Sequence, residues 1–290
     1  MMIDAGLNEK SIFMNPITRR QAMFMVGAAA VATARAEGLL RAVRVDHVAL
    51  DVGDIDKAMF YYRRLFGNEV LKDSKTPRRY LRLGPCYLAI APAAEGGPHI
   101  NHFAVGVESF DGPGVKSVLE GAGIKVRESN VGLFVTDPDG NSIQIVADQS
   151  WKLLRDAAPE NGPKQEAFFH AIGMHHIAIQ ANDLPKTVEF YGKLFGKPTF
   201  DPPGNPQPLF LAGETRIRIY TPASNKPAKI DHFSALVDSF DAPEALKVVK
   251  SLGAKAELSK QGTLNEFYDP QGIRMQVTSL GQTYGTPAKK

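Results

Sequence analysis

The sequence predicts an α+β protein built from four βαβββ-like modules, paired into two consecutive domains. Three observations predict it. The chain repeats itself: Val45-Asp46-His47-Val48-Ala49-Leu50 returns as Met174-His175-His176-Ile177-Ala178-Ile179, and Ile100-Asn101-His102-Phe103 returns as Ile230-Asp231-His232-Phe233. Asp137-Pro138-Asp139-Gly140, followed by Gln144, returns as Asp269-Pro270-Gln271-Gly272, followed by Gln276. The histidines lie 129 and 130 positions apart and the glutamines 132, so one copy has the size of an ordinary domain rather than of a solenoid unit. Within each copy, apolar residues alternate along short strands and then switch to helical spacing, twice over. Finally, 43% hydrophobic and 22% charged residues is the balance of a chain with real cores.

The elements follow in order. Alternation around His47 gives a strand, Asp54 caps a helix, and Ile55, Met59, Tyr62 and Phe66 form its core face before Gly67 stops it. Asp183, Leu184, Val188, Tyr191, Phe195 and Gly196 repeat this arrangement, so these aromatics are structural. Short strands come next, at Tyr80 to Leu83 and Tyr87 to Ile90, with counterparts at Leu209 to Leu211 and Arg216 to Tyr220. The second half of each copy starts with the strand through His102 or His232. After Phe110-Asp111 a helix turns Val115, Val118, Leu119 and Ala122 inward, and Gly123 ends it. After Phe240-Asp241 the counterpart presents Ala245, Val248, Val249 and Leu252 and ends at Gly253, with Pro243 in a first turn that needs no amide donor. An Asp-Pro-x-Gly turn and a last strand close each copy.

The boundaries are residues 1–36, a domain over 43–148, a linker over 149–171, a domain over 172–280 and a tail over 281–290. Residues 1–36 belong to neither copy. Thr18-Arg19-Arg20-Gln21 precedes an apolar run from Ala22 to Ala34, and Ala34-Arg35-Ala36 offers a small-x-small cleavage pattern. The run is shorter than the roughly 20 residues of a spanning helix, and it resembles a twin-arginine export signal. The expectation is a periplasmic or otherwise extracytoplasmic bacterial protein, with no membrane partner once the signal is removed. Cleavage after Ala36 removes Lys10, Arg19, Arg20, Arg35, Asp4 and Glu9, so the net charge falls from +3 to +1. With no basic run there is no electrostatic footprint for nucleic acid. The expected partner is a small molecule, with a homodimer as the candidate assembly. Cys86 is the one cysteine, which excludes an internal disulfide and a thiolate metal cluster, and its apolar surroundings mark it as a buried hydrophobe.

The histidine strand, the Phe-Tyr-x-x-Leu-Phe-Gly type of helix and the Asp-Pro-x-Gly turn before a strand resemble the vicinal oxygen chelate superfamily. That group includes glyoxalase, extradiol dioxygenases, fosfomycin resistance enzymes and bleomycin-binding proteins. The resemblance covers about residues 43–148 and 172–280. It implies that each pair of modules curves into a cup around one divalent ion, Fe(II), Mn(II) or Zn(II). Carried over by position, the ligands are His47, His102 and Gln144 in the first cup and His176, His232 and Gln276 in the second. Neutral imidazoles suit first-row divalent ions, and with one carboxylate they would form a facial triad. Here the third residue is glutamine, an uncharged and weaker donor that leaves the ion more electrophilic.

The fourth family position falls near Ala89 in the first cup and near Arg218 in the second. Alanine cannot ligate and arginine repels a cation, so the first cup is the better metal candidate. The tyrosine that the resemblance implies for extradiol cleavage is replaced by Phe134 and Glu266, and the carboxylate ligands of glyoxalase are absent. Glu266 is the candidate general base of the second cup. His99 and His175 stand next to candidate ligands, as supporting or surface residues. Two functional classes lead: a metal-dependent enzyme acting on a small oxygen-chelating substrate, dioxygenase-, lyase- or isomerase-like, and a metal-free protein that sequesters a small molecule. A structural role for a degenerate cup is the third.

Overall fold

A computed structural model of the chain describes residues 38–280, apart from 95, 163–165, 201–206, 223–226, 261 and 265. The expected export signal, the tail and most of the proline-rich loop before Pro208 lie outside the described residues. The first copy contains β1 (Ala42–Val52), α1 (Ile55–Phe66), β2 (Val70–Asp73), β3 (Arg79–Leu83), β4 (Cys86–Pro92), β5 (His99–Val107), α2 (Gly112–Gly121), β6 (Arg127–Ser129), β7 (Gly132–Thr136) and β8 (Ser142–Ala147). A short 3-10 helix (Ser150–Leu153) and β9 (Ala157–Pro159) follow. The second copy contains β10 (Ala171–Gln180), α3 (Leu184–Phe195), β11 (Leu209–Ala212), β12 (Thr215–Tyr220), β13 (Ile230–Val237), α4 (Ala242–Ser251), β14 (Lys255–Ala256), β15 (Phe267–Tyr268) and β16 (Arg274–Ser279).

Two sheets result, in the orders β6-β7-β8-β5-β1-β4-β3-β2-β9 and β11-β12-β10-β13-β16-β15-β14. The α+β class and the modular order are as the sequence predicts. In each sheet the histidine strands lie side by side at the centre, antiparallel, each flanked by the parallel last strand of its own module. The caps act as predicted: the Asp54 carboxylate accepts from the amides of Asp56 and Lys57, and Gly67 takes φ 99° to end α1. Asp183, Asp111 and Asp241 cap the other three helices. Two details differ from the pattern. Val118 on α2 is exposed rather than inward, and among the described residues the third module shows two strands after its helix, with an isolated bridge from Thr199 to Leu209 where another strand was expected.

The helix-facing sides of the sheets merge into one apolar core that runs through both copies, including Val48, Leu50, Tyr62, Ile177, Ile179 and Tyr191. The copies interlock reciprocally. Backbone amides of Leu39 and Leu40 donate to Lys193 and Leu194 at the end of α3, while those of Phe168 and Phe169 donate to Arg64 and Leu65 at the end of α1. Gly213 packs so closely on Val43 that an added Cβ would sit 1.3 Å from its carbonyl oxygen, and Gly84 meets Ile172 in the matching place at 2.7 Å.

The segment expected as a linker is part of the first sheet. β9 pairs with β2, and Glu160 accepts from both Arg63 and Arg79. Trp151, Leu154 and Ala157 pack on Ala49, Tyr80, Tyr87 and Ala89, on the sheet face opposite the helices. The Arg82 guanidinium lies 3.6 Å over the Trp151 ring. The chain that leaves the first cup therefore folds back over Ala49, Tyr80, Tyr87 and Ala89.

Candidate metal centre

Strand register assembles the predicted residues. His47 on β1 faces Ala104 on β5, which faces Gln144 on β8, while His102 sits one step along β5 opposite Ala49. The second sheet repeats this: His176 faces Ser234, which faces Gln276, and His232 lies opposite Ala178. The fourth positions are also equivalent, since Ala49 pairs with Ala89 and Ala178 with Arg218.

Each histidine is preceded by an extra residue in a β-bulge. The register slips between Val45 and His47, between Ala49 and Leu50, and at the same two places in β10. Neighbouring residues of a regular strand point to opposite faces, but a bulge turns both toward one side. Asp46, Asn101, His175 and Asp231 thereby touch the ring that follows each of them. Asp46 Oδ1 accepts from His47 Nδ1 at 3.0 Å, Asn101 Oδ1 accepts from His102 Nδ1 at 2.8 Å, His175 Nδ1 meets His176 Nδ1 at 2.8 Å, and Asp231 Oδ2 accepts from His232 Nδ1 at 2.7 Å. Asp46, Asn101 and Asp231 were not among the residues expected at the site, whereas His175 was expected beside a candidate ligand. The available signal was the polar residue directly ahead of every repeated histidine.

In the first cup the hydrogen bonds fix which atoms carry protons. Asn101 Nδ2 donates to Asp51, so its oxygen faces His102 and takes the Nδ1 proton. Gln144 Nε2 donates to the Val131 carbonyl at 2.7 Å, so its oxygen turns toward the histidines. Burial, and then the neighbouring His47, push the His102 pKa down to about 3, so the ring is neutral. In the tautomer with the proton on Nδ1, His102 Nε2 and Gln144 Oε1 present lone pairs to each other at 3.1 Å. His47 stacks on Tyr87 at 4.5 Å, lies edge-on to His102 at 5.5 Å and turns Nδ1 to Asp46, which leaves Nε2 directed away from that bond. A cation satisfies such a set of donors. The 3.1 Å separation is also that of adjacent ligand atoms each about 2.1 Å from one ion. Phe134, 5.4 Å from His102 and covered by Arg127 at 4.2 Å, forms an apolar wall.

In the second cup the histidines bond to one another. Arg216 can only donate, so at 3.3 Å it takes the Nε2 lone pair of His175. The His175 Nδ1 proton then goes to His176 Nδ1, and His176 Nε2–H points at His232 Nε2, 3.1 Å away. His232 Nδ1 donates in turn to Asp231. Burial and the positive charges of Arg216 and Arg218 push the His175 pKa to about 3, and burial with the neighbouring His232 holds His176 well below its ordinary value, so both of these rings are neutral. Asp231 also accepts from Tyr220 at 2.6 Å, from Gln180 at 3.1 Å and from Arg274. Burial raises its pKa, but the bonds from His232 and Tyr220 and the Arg274 charge outweigh this and hold it at about 2. Glu266 is exposed just before β15 and ion-paired with Arg274, which also bonds Asp231, so it takes part in this network as a counter-ion. Of the other histidines, His99 is exposed beside Asp51 and His170 is exposed beside Asp238. Among the described residues no group of three or more His, Cys, Asp or Glu side chains is arranged to hold a metal ion.

Paired βαβββ modules with two central histidine strands define a superfamily, and the chain belongs to it: the family described as the Glyoxalase/Bleomycin resistance protein/Dioxygenase superfamily matches residues 44–145 and 173–277. The lactoylglutathione lyase GLX1 of Arabidopsis thaliana is 24% identical over 171 residues, 52% of this chain and 53% of that protein. The chain thus spans about half the length of that curated relative. In fold it is similar to the Mn(II)-bound glyoxalase from Novosphingobium aromaticivorans, with 17% identity, TM-score 0.63 and 83% of each chain covered. The 2,3-dioxygenase LapB from Pseudomonas sp. KL28 is similar at 15% identity and TM-score 0.60, over 85% of this chain and 95% of that one.

Proposed function

We propose that the chain is a metal-dependent enzyme whose first cup holds one divalent ion, Fe(II), Mn(II) or Zn(II), between His47, His102 and Gln144 and takes a small substrate with neighbouring oxygens. The observation that carries this reading is the 3.1 Å approach of His102 Nε2 and Gln144 Oε1, each oriented by a bond on its far side. When bound, the ion supplies Lewis acidity to the substrate oxygens. The protein's part is orientation and exclusion of water: Tyr87 fixes the plane of His47, and Trp151 and Phe134 wall the site. The amide of Gln144 leaves the charge of the ion uncompensated by any direct ligand, which favours polarisation of a bound oxygen. Phe134 brings no hydroxyl to the site, so the reading favours lyase- or isomerase-like chemistry over catechol cleavage.

For the second cup the hydrogen-bonded chain from Arg216 through His175, His176 and His232 to Asp231 supports a metal-free binding site for a small molecule. Residues 1–36 are proposed as a removable twin-arginine-type export signal, and amino-terminal sequencing of protein recovered from cells tests it by reading Glu37 as the first residue. The enzymatic reading is tested by thermal shift of chelator-stripped protein. Mn(II), Zn(II) or Fe(II) raises the melting temperature of the native chain, because a ligand of the folded state stabilises it. No shift with any of the three overturns the metal reading in favour of the binding protein.

A further inference from the structure

The four residues that back the histidines are not alike, and their arrangement has a pattern. In the first cup a carboxylate, Asp46, backs His47 and an amide, Asn101, backs His102. In the second an imidazole, His175, backs His176 and a carboxylate, Asp231, backs His232. Each cup thus has a single carboxylate behind its imidazoles, on opposite histidines.

Asp46 is fully buried, and both of its oxygens are used. Oδ1 accepts from His47 Nδ1 at 3.0 Å and from Ser150 Oγ at 2.6 Å, and Oδ2 accepts from the Ser150 amide at 2.9 Å. Ser150 is the first residue of the 3-10 helix whose Trp151 roofs the cup, and its hydroxyl lies 3.0 Å from that of Tyr87, on which His47 stacks. A carboxylate on Nδ1 locks the tautomer, aims the ring and raises the donor strength of Nε2.

We infer that Asp46, clamped by Ser150, is the positioning residue of the first cup and supplies from behind His47 the negative charge that Gln144 does not supply directly. The inference rests on the metal reading proposed above. It makes docking of the segment after β8 and orientation of a metal ligand one event, since the same serine does both.

The test is titration of the chelator-stripped mature chain with Mn(II) and with Zn(II) by calorimetry, so that affinity rather than turnover is read. Asp46→Asn, which keeps the shape and removes the charge, weakens binding about 10–100-fold. Ser150→Ala weakens it several-fold, and Ser150→Thr, which keeps the hydroxyl, restores the native affinity. A purely structural role for the clamp predicts lower melting temperatures with unchanged affinity in the molecules that fold. Native affinity in Asp46→Asn overturns the inference and leaves the metal reading standing. No binding by the native chain overturns the metal reading first, and this inference with it. Should Asp46→Asn fail to fold, the Ser150 pair decides: equal affinities in the Ala and Thr variants overturn the inference.

Discussion

The Tyr62 hydroxyl on α1 donates to Asp269 at 2.9 Å, and the Tyr191 hydroxyl on α3 returns the bond to Asp137 at 3.2 Å. Each tyrosine belongs to one copy and each aspartate to the turn of the other. Those turns precede β8 and β16, the strands that carry Gln144 and Gln276. The helix of one half therefore steadies the strand that brings the amide donor of the other half. Asp269 Oδ1 shapes its turn as well, accepting from the amides of Gln271 and Ile273.

Removal of the Tyr62 hydroxyl leaves a buried carboxylate short of a donor, and Tyr62→Phe costs about 1–3 kcal/mol at neutral pH. Burial already raises the Asp269 pKa above 3.8, while the bonds from Ile273 and Tyr62 pull it down. Loss of one such bond raises it further, so the charged form is penalised more in the folded state. The stability loss is therefore largest at neutral pH and shrinks as the pH falls to about 4 and the carboxyl takes up its proton. Denaturant titration of the native and variant chains at both pH values checks the sign; an equal loss at both assigns Asp269 no part in it.

Cys86 is protected by its position. Burial, and then the negative charge of Asp46, push its thiol up to about 12, and Sγ donates to the Val45 carbonyl at 3.2 Å. Almost no thiolate exists near pH 8, and the thiolate is the nucleophile. A thiol reagent such as a disulfide dye reacts with the folded chain only at the rate of opening, and at once in denaturant. Rapid reaction of the native protein contradicts the buried placement.

Trp151 is the one tryptophan of the chain, and it lies next to Ser150, which holds Asp46 and through it His47. Its fluorescence is consequently a reporter of the first cup alone. Mn(II) or Co(II) added to stripped protein quenches it in proportion to occupancy. His47→Ala abolishes the effect, whereas quenching that survives this substitution places the ion elsewhere.

Gln144→Glu turns the neutral donor into a carboxylate and completes the facial triad. The expected outcome is metal affinity raised roughly ten-fold or more. Substrate turnover falls, because the added charge offsets the Lewis acidity on which the proposed reaction depends. Affinity unchanged by the new carboxylate, measured by calorimetry, removes Gln144 from the metal site.

Much of this was legible in the sequence, because periodicity and caps are local. Asp54, Gly67, Asp183 and Gly196 bound their helices as read, and the repeat named both sets of histidines and glutamines in the register found. What escaped depends on non-local contacts. Asp46 acquires its meaning from a bulge, whose one mark in the sequence is the polar residue ahead of each repeated histidine, and from Ser150, which is 104 positions away. The segment after β8 lacks the alternation of a strand, yet β2 offers it an open edge and Glu160 finds two arginines there. Val118 fits the helical stripe of α2 but lies exposed, and Glu266 is drawn to Arg274 by charge.

The central claim is that the first cup and not the second holds the metal, and elemental analysis of two paired variants tests it most directly. Protein is purified without chelator, loaded with Mn(II) or Zn(II), desalted and analysed. The account predicts metal in the native chain, its loss in His47→Ala with His102→Ala, and its retention in His176→Ala with His232→Ala. Metal retained by the first pair and lost by the second contradicts the account.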